Sequence, residues 1–414
     1  MDKKIFKCRL CGMSDYKTIF FTDTPLSGKY SIIGEESDKY PLHVVFCKNC
    51  GHVQLANEIS VNFYENYLYT PSYSNEFQNY IKNFVSRIDD EYKNCTDKKI
   101  IEIGSGNGAL LKNFKDKNWK VLGIEPSKTL ADESNKNGVD TLNDYFDENS
   151  LEKINELIGV PDVIIMRHVL EHLNNLSALI SVLAECIYPK SHYNAPSEPN
   201  GGGYCKSIYI EVPYVKKIIE EKQFYAFYHE HVSYFSVKSL KYLLESANFK
   251  IVDIEENKLE GGSLLIKAIY DKEKFSSEVP KLDFYLKEEG KFISPKSLEK
   301  FSINIKNFIN DFKEKIKYFR KNNQIVAGWG AGQRAFTLMN LCELTKQDIA
   351  YIIDVNQNYW WKYINGTEIQ IVPPDYYKNH HADKIIIFAT GYAEEIIAGN
   401  SDFTKSGGEF LKII

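Results

Sequence analysis

The residues able to do chemistry fall into three stretches of this chain. The first holds two cysteine pairs, Cys8-x-x-Cys11 and Cys47-x-x-Cys50, each followed by a glycine, Gly12 and Gly51. A Cys-x-x-Cys turn sets two thiolates about one tetrahedral edge apart, and two such turns complete a four-sulfur site that suits zinc. Glycine helps the backbone close over a metal-bound sulfur. A closed four-thiolate site has no open position, so its role is architectural; a redox pair is the competing reading. His52, close to Cys50, is read as a bystander rather than a ligand.

The second stretch, Ile100 to Gly108, reads I-I-E-I-G-S-G-N-G. Gly104, Gly106 and Gly108 let a backbone approach a ligand closely, and the helix expected behind them offers unpaired N–H groups. Glu125 ends the next strand, where a carboxylate can hold both hydroxyls of a ribose. A turn of this kind alone also fits dinucleotide binding, or packing with no ligand.

The third stretch is Phe227-Tyr228-His229-Glu230-His231-Val232-Ser233-Tyr234-Phe235-Ser236. Three readings compete for it: a metal site, a buried cluster of satisfied side chains, and a catalytic base with an orienting carboxylate and phenolic donors. The last is preferred, because imidazole titrates near neutrality and a base must do so to work there.

These stretches need elements to hold them. Short strands are expected at IIEIG (100–104), VLGIEP (121–126), DVIIM (162–166), SIYIEV (207–212) and LLIKAIY (264–270). One helix is expected to run to about Lys93, with others over GALLKNFKDK from Gly108, near 128–137, and from about Asn175 to Cys186. Strands alternating with helices argue for a parallel α/β sheet, at whose carboxyl edge ligands bind. Residues 190–206 read as an inserted surface loop, and 283–321 as a Lys-rich helical bridge. A second α/β pattern follows in IVAGWG (325–330), YIID (351–354) and KIIIFAT (384–390).

At 414 residues the chain is expected to form more than one domain. Its 51 Lys and Arg against 56 Asp and Glu give a net charge of -5, without the basic excess of a dedicated nucleic-acid binder. No apolar run is long enough for a signal peptide or a membrane span, and tight cysteine pairs point away from a disulfide framework, so the cytoplasm is the expected compartment.

The motif E-x-G-S-G-N-G resembles motif I of class I methyltransferases. Asn143, Asp144, Tyr145 and Phe146 fall where such enzymes hold the adenine, and Asp162 to His172 resembles their fourth motif. With the cysteine pairs ahead, the Tyr228-His-Glu-His231 segment after, and a second α/β unit last, nearly the whole chain resembles the three-domain nucleotide-sugar C-methyltransferases. Those enzymes add a methyl group to a 4-keto deoxysugar carried on a nucleoside diphosphate.

The resemblance implies a zinc-binding domain at 1–62, a Rossmann-like methyltransferase core at 63–272, and a second Rossmann-like domain with its helical bridge at 273–414. It implies S-adenosylmethionine and structural zinc as cofactors, held by Glu102, Gly104, Ser105, Gly106, Asn107, Gly108, Glu125, Pro126, Asp144, Tyr145, Phe146, Arg167 and His168 for the former, and the four paired cysteines for the latter. His231 would be the base at C3, and Glu230 would position the substrate or tune His231. Tyr228 and Tyr67 or Tyr69 would line the sugar, and His172 would face the same cleft, with helix capping as its other reading. The implied partner is a nucleoside-diphosphate sugar, without nucleic acid or membrane, in a monomer or small homo-oligomer.

Three features depart from the family pattern: the insertion at 190–206, the cationic pair Arg167-His168, and the turn Gly328-Trp-Gly-Ala-Gly-Gln-Arg334. That last turn, with Asp354 at the end of the next strand, fits either a phosphate cradle or a vestigial Rossmann turn. Transfer to oxygen or nitrogen of a saccharide or small natural product is the rival reading. A zinc-ribbon RNA methyltransferase is the more distant one.

Overall fold

The computed structural model describes residues 6–26, 30–31, 37–57, 75–189, 206–257, 261–271 and 279–413. Tyr67, Tyr69 and nearly all of the 190–206 insertion lie outside them.

The N-terminal strands are β1 (Tyr16–Thr24), β2 (Tyr30–Ser31), β3 (Tyr40–Cys47) and β4 (Val53–Leu55). The cysteine turns flank this small antiparallel sheet, ahead of β1 and between β3 and β4. After α1 (Asn75–Glu91) the alternating pattern runs β5 (Lys99–Ile103), α2 (Ala109–Lys115), β6 (Lys120–Ile124), α3 (Lys128–Lys136), β7 (Thr141–Leu142), α4 (Ser150–Leu157), β8 (Val163–Arg167), α5 (Leu176–Ile187) and β9 (Ser207–Pro213). Then come α6 (Val215–Glu220), β10 (Ser233–Tyr234), α7 (Val237–Glu245), β11 (Phe249–Asn257) and β12 (Ser263–Tyr270).

Seven of these strands form one sheet in the order β7-β6-β5-β8-β9-β12-β11. The first five are parallel, and β12 runs antiparallel between β9 and β11. This is the Rossmann-like class I methyltransferase sheet. Ile100 to Ile103 are all buried, as a central parallel strand covered on both faces requires. Apolar clusters fill both sides: Ile101, Ile103, Met166 and Leu264 on one, Ile88, Ile100, Phe114 and Ile165 on the other.

The bridge is two helices, α8 (Pro280–Phe292) and α9 (Pro295–Lys321). Ser294 caps α9, accepting from the Ser297 N–H, and Pro295 sits at its first position, where no N–H is missed. Leu298, Phe301, Ile305, Phe312, Ile316 and Phe319 form one buried stripe along it. Strands β13 (Val326–Trp329), β14 (Ile352–Ile353), β15 (Tyr363–Ile364), β16 (Ile371–Val372), β17 (Lys384–Ile387) and β18 (Glu409–Lys412), with α10 (Gln333–Leu341), build the last unit. Its sheet is parallel, in the order β16-β14-β13-β17-β18.

The α9 stripe packs into a core that also includes Ile19, Val44 and Leu55 of the N-terminal sheet, Phe227 and Tyr234 of the histidine segment, and Phe336, Ile352 and Ile386 of the last unit. The histidine segment is therefore anchored where all three parts meet. Among the described residues no helix is long and apolar enough to cross a membrane.

Candidate active site

The two cysteine turns have the same backbone pattern. The Gly12 N–H donates to the Cys8 carbonyl and the Gly51 N–H to the Cys47 carbonyl, both glycines being left-handed at φ 72° and 81°. Cys8 Sγ lies 3.6 Å from Cys50 Sγ, Cys11 Sγ lies 3.6 Å from Cys47 Sγ, and all four sulfurs fall within 4.8 Å of one another. A tetrahedral zinc with bonds near 2.3 Å requires sulfur separations of about 3.8 Å, so the four thiolates fit a closed structural site.

This domain reaches the histidine segment directly. Strand β10 joins the N-terminal sheet by pairing with β4, Ser233 opposite Gln54 and Tyr234 opposite Val53. His52, fully buried and outside the cysteine cluster, meets the Ser233 hydroxyl through Nε2 at 3.2 Å. Arg9, inside the first cysteine turn, donates from its backbone N–H to Gln54 Oε1 at 2.8 Å and from its guanidinium to Asn174 at 3.1 Å. Both histidine-bearing loops are thus tied to the metal-binding turns.

In the core, the glycine turn closes β5 at the carboxyl edge of the sheet. Gly104, Gly106 and Gly108 are left-handed at φ 69°, 54° and 78°, a region that disfavours side chains. Their surroundings differ. A Cβ on Gly104 would lie 2.4 Å from Val169 Cγ2, and one on Gly108 would lie 2.3 Å from Ser134 Oγ, whereas nothing lies within 4 Å of the corresponding point on Gly106. Gly104 and Gly108 are needed for packing; Gly106 leaves open space for a ligand.

Both Glu125 oxygens grip the backbone, accepting from the Gly106 N–H and the Ser127 N–H at 2.8 Å each. Each oxygen keeps a lone pair for hydroxyls. Glu102 Oε2 and Ser105 Oγ are buried with no hydrogen-bond partner among the described residues. Burial pushes the Glu102 carboxyl up to about 8, with nearby Glu125 adding to the shift and Arg167 opposing it. Buried orphan acceptors beside an open glycine turn fit a ligand bearing donors and positive charge, as an adenosyl sulfonium with its amino group does. Farther along, Asn143 Nδ2 donates to the carbonyls of Glu125 and Pro126, Asn107 donates to Glu133, Asp144 pairs with Lys153, Tyr145 is half exposed, and Phe146 packs against the core.

Arg167 and His168 are not a free cationic pair. Arg167 Nε sits 2.5 Å from the fully buried Glu211 carboxylate, and its guanidinium covers Phe77 and Tyr80. His168 Nδ1 lies 3.4 Å from Glu171. The sequence reading missed Glu211 as the partner; its sole local cue is a carboxylate in an otherwise apolar strand.

His172 follows this loop. Its Nδ1 lies 2.9 Å from the Glu230 carbonyl, which can only accept, so Nδ1 carries the proton. The His172 and His231 rings meet edge to face with centroids 4.8 Å apart. His231 Nε2 is 2.6 Å from the Tyr228 hydroxyl. Burial, helped by the neighbouring His172 and His168, holds His231 well below the usual imidazole range, so the ring is neutral at neutral pH. Burial pushes the Glu230 carboxyl up to about 7. His229 points the other way, toward the Tyr40 carbonyl.

The structure therefore brings the His172, His231 and Tyr228 side chains together, with the Glu230 carbonyl on His172. The path from Gly104 through Val169 to His172 and His231 is continuous contact.

Family models match the chain in series: one described as “Putative zinc binding domain” over residues 8–62, one as “Methyltransferase domain” over 73–254, and one as “C-methyltransferase C-terminal domain” over 258–414. The chain is a methyltransferase with a zinc-binding domain ahead of its methyltransferase domain and a C-methyltransferase C-terminal domain behind it. Its N-terminal domain is a zinc-binding domain built on the four-cysteine cluster. Among curated proteins, the C-methyltransferase NovU of Streptomyces niveus is 25% identical over 417 residues, a match covering 99% of this chain and 95% of that protein. Among solved structures, this methyltransferase is similar to a magnesium protoporphyrin IX methyltransferase from Synechocystis with bound SAM (14% identical, TM-score 0.34, covering 47% of this chain and 80% of that one). It is also similar to a SAM-dependent methyltransferase from Archaeoglobus fulgidus (18% identical, TM-score 0.34, covering 46% and 94%).

Proposed function

We propose that this methyltransferase transfers a methyl group from S-adenosylmethionine to C3 of a nucleotide-linked 4-keto deoxysugar, with His231 removing the C3 proton. The observation that carries this reading is the contact path from the open turn at Gly104–Gly108, across Val169, to the paired rings of His172 and His231. A donor held at the turn and an acceptor held at His231 would be neighbours at one sheet edge.

When bound, S-adenosylmethionine supplies an electrophilic methyl group on a sulfonium and leaves as the thioether. The rest falls to the protein. A 4-keto group acidifies the adjacent C3–H. His231 Nε2 takes that proton as the C–H bond breaks, and the electron pair moves into an enolate with its charge on the C4 oxygen. For this the Tyr228 hydroxyl, which rests against His231 Nε2, turns away from that nitrogen and donates its one proton to the C4 oxygen. Tyr67 or Tyr69 would line the opposite side of the sugar. Glu230, whose carboxyl titrates near 7, holds sugar hydroxyls when ionised. Glu102 and Glu125 orient the donor, Glu125 through the ribose, and the stretch 144–146 flanks the adenine. The name of the NovU relative supports carbon rather than oxygen as acceptor.

Toward the last unit, Gln333 and Thr337 of α10 share a small cavity with Tyr228 and His229. A nucleotide extending from a sugar at Tyr228 would therefore run toward the N-terminus of α10 and Arg334.

The test is exchange of the C3 proton into deuterated water with a 4-keto sugar nucleotide. Wild type should exchange it, and His231→Ala should slow both exchange and methyl transfer by about a hundredfold or more, the scale for losing a general base. Methyl transfer to a sugar without a keto group, at undiminished rate, would sink the carbon-acid reading.

A further inference from the structure

We propose that Glu171 is a positioning residue of this reaction: its buried carboxylate holds the charge that arrives when His231 takes the substrate's proton, acting through the His172–His231 pair. This rests on the reading of His231 as the base.

Glu171 is 1% exposed, and neither carboxylate oxygen has a hydrogen-bond donor among the described residues. A carboxylate so desolvated is costly unless a cation stands beside it. Its surroundings are three imidazoles. His168 Nδ1 is 3.4 Å away, and a carboxylate oxygen, a His172 nitrogen and a His231 nitrogen all lie within 4.8 Å of one another. His231 also has histidines as neighbours, and these alone would oppose its protonation. A base that is neutral in the resting state must still accept a proton during turnover, and in so dry a site its imidazolium needs a counter-charge. Glu171 is the carboxylate in place for that. The C3–H bond breaks, its proton joins His231 Nε2, and the new positive charge faces Glu171 until the proton returns to solvent after methyl transfer.

The other groups around His231 do not substitute for it. Its own segment brings the Tyr228 hydroxyl and the Tyr234 ring, and Glu211 of β9 is taken by Arg167 of β8. Glu171, His172 and His231 together also invite a divalent cation, so the metal content of the protein is part of the test.

The experiment compares full-length wild type, Glu171→Gln, Glu171→Asp and His231→Ala in the C3 exchange assay, with KM, the pH profile and metal content. Glu171→Gln should slow exchange and kcat by about thirtyfold to a hundredfold while KM moves by less than about threefold. Removing a negative charge beside His231 lowers its proton affinity, so the acid limb of kcat should move to lower pH. Glu171→Asp should recover at least about a third of the exchange rate and restore the limb. A Gln variant that exchanges at the wild-type rate, or slows without moving the limb, overturns the proposal. So does a second metal equivalent in active wild type that disappears in Glu171→Gln. Should Glu171→Gln not fold, the Asp variant decides alone, since exchange below about a hundredth of wild type would overturn the charge argument. If His231→Ala exchanges normally the base reading itself fails; if only the Glu171 variants do, this inference fails alone.

Discussion

At Gly104–Gly108 and again at Gly328–Gly332, a buried parallel strand runs into a glycine turn, and a carboxylate from the end of the neighbouring strand grips the backbone. In the first turn Glu125 accepts from the Gly106 and Ser127 N–H groups; in the second Asp354 accepts from Ala331 at 2.7 Å and Asn356 at 2.8 Å. The clasp is the same, and the difference lies in what each turn leaves unpaired. The first leaves acceptors, Glu102 Oε2 and Ser105 Oγ; the second leaves a donor, Arg334 Nε. The rest of the Arg334 guanidinium is held by Phe388, Thr390 and Tyr225, whose ring it covers at 4.1 Å. One topology thus carries different leftovers, unpaired oxygens at the first turn and an unpaired guanidinium nitrogen at the second. Strand-turn-helix geometry alone says little about ligand; the side chains left over say more.

The comparison can be broken by filling each turn in order of expected effect. Gly106→Val places a branched side chain at φ 54° in the open space of the first turn, and should abolish S-adenosylmethionine binding by calorimetry, a loss of about a thousandfold or more. Binding at wild-type strength would mean the donor sits elsewhere. Arg334→Ala should raise KM for a sugar nucleotide by about tenfold to a hundredfold while leaving donor affinity unchanged, since a desolvated charge on a phosphate is lost. An effect on donor affinity instead would erase the distinction between the turns.

Glu102→Gln sharpens it through pH. The carboxyl is about 8 in the fold against about 4.3 unfolded, so its contribution to stability is complete at low pH and is lost as pH rises through 8. In donor-free protein the Gln variant should therefore gain on wild type between pH 5 and pH 8, by roughly 4 kcal/mol at most, read from denaturant midpoints. Equal slopes would show that Glu102 is not buried as an acid. The smallest effect is expected from Gly332→Ala, where nothing lies within 4 Å of the new Cβ: thermal stability and donor affinity should stay at wild-type values, and only KM for the sugar nucleotide should rise.

Much of this was legible in the sequence. The cysteine spacing, the strand IIEIG with its turn, and the run of alternating elements carry their signals within a few residues, and so do the two Rossmann-like sheets. What escaped the sequence depends on long-range pairing. Nothing near Ser233 announces that β10 extends the zinc domain's sheet, and nothing near His52 or Arg9 announces contacts with Ser233 and Asn174. The partner of Arg167, Glu211, lies on the adjacent strand, out of reach of any local pattern. Glu171 was visible only as one letter of R-H-V-L-E-H, since burial among three imidazoles has no local signature. The zinc domain, expected to be scaffolding, holds the segment that carries His229 and His231 in particular.

The most direct measurement is a crystal structure of the full chain soaked with S-adenosylhomocysteine and a 4-keto sugar nucleotide. The account predicts the thioether sulfur over the Gly104–Gly108 turn, facing C3 of a sugar beside His231, with the diphosphate toward Arg334. An adenosyl group seated on the Gly328–Gly332 turn, or a sulfur facing away from His231, would contradict it.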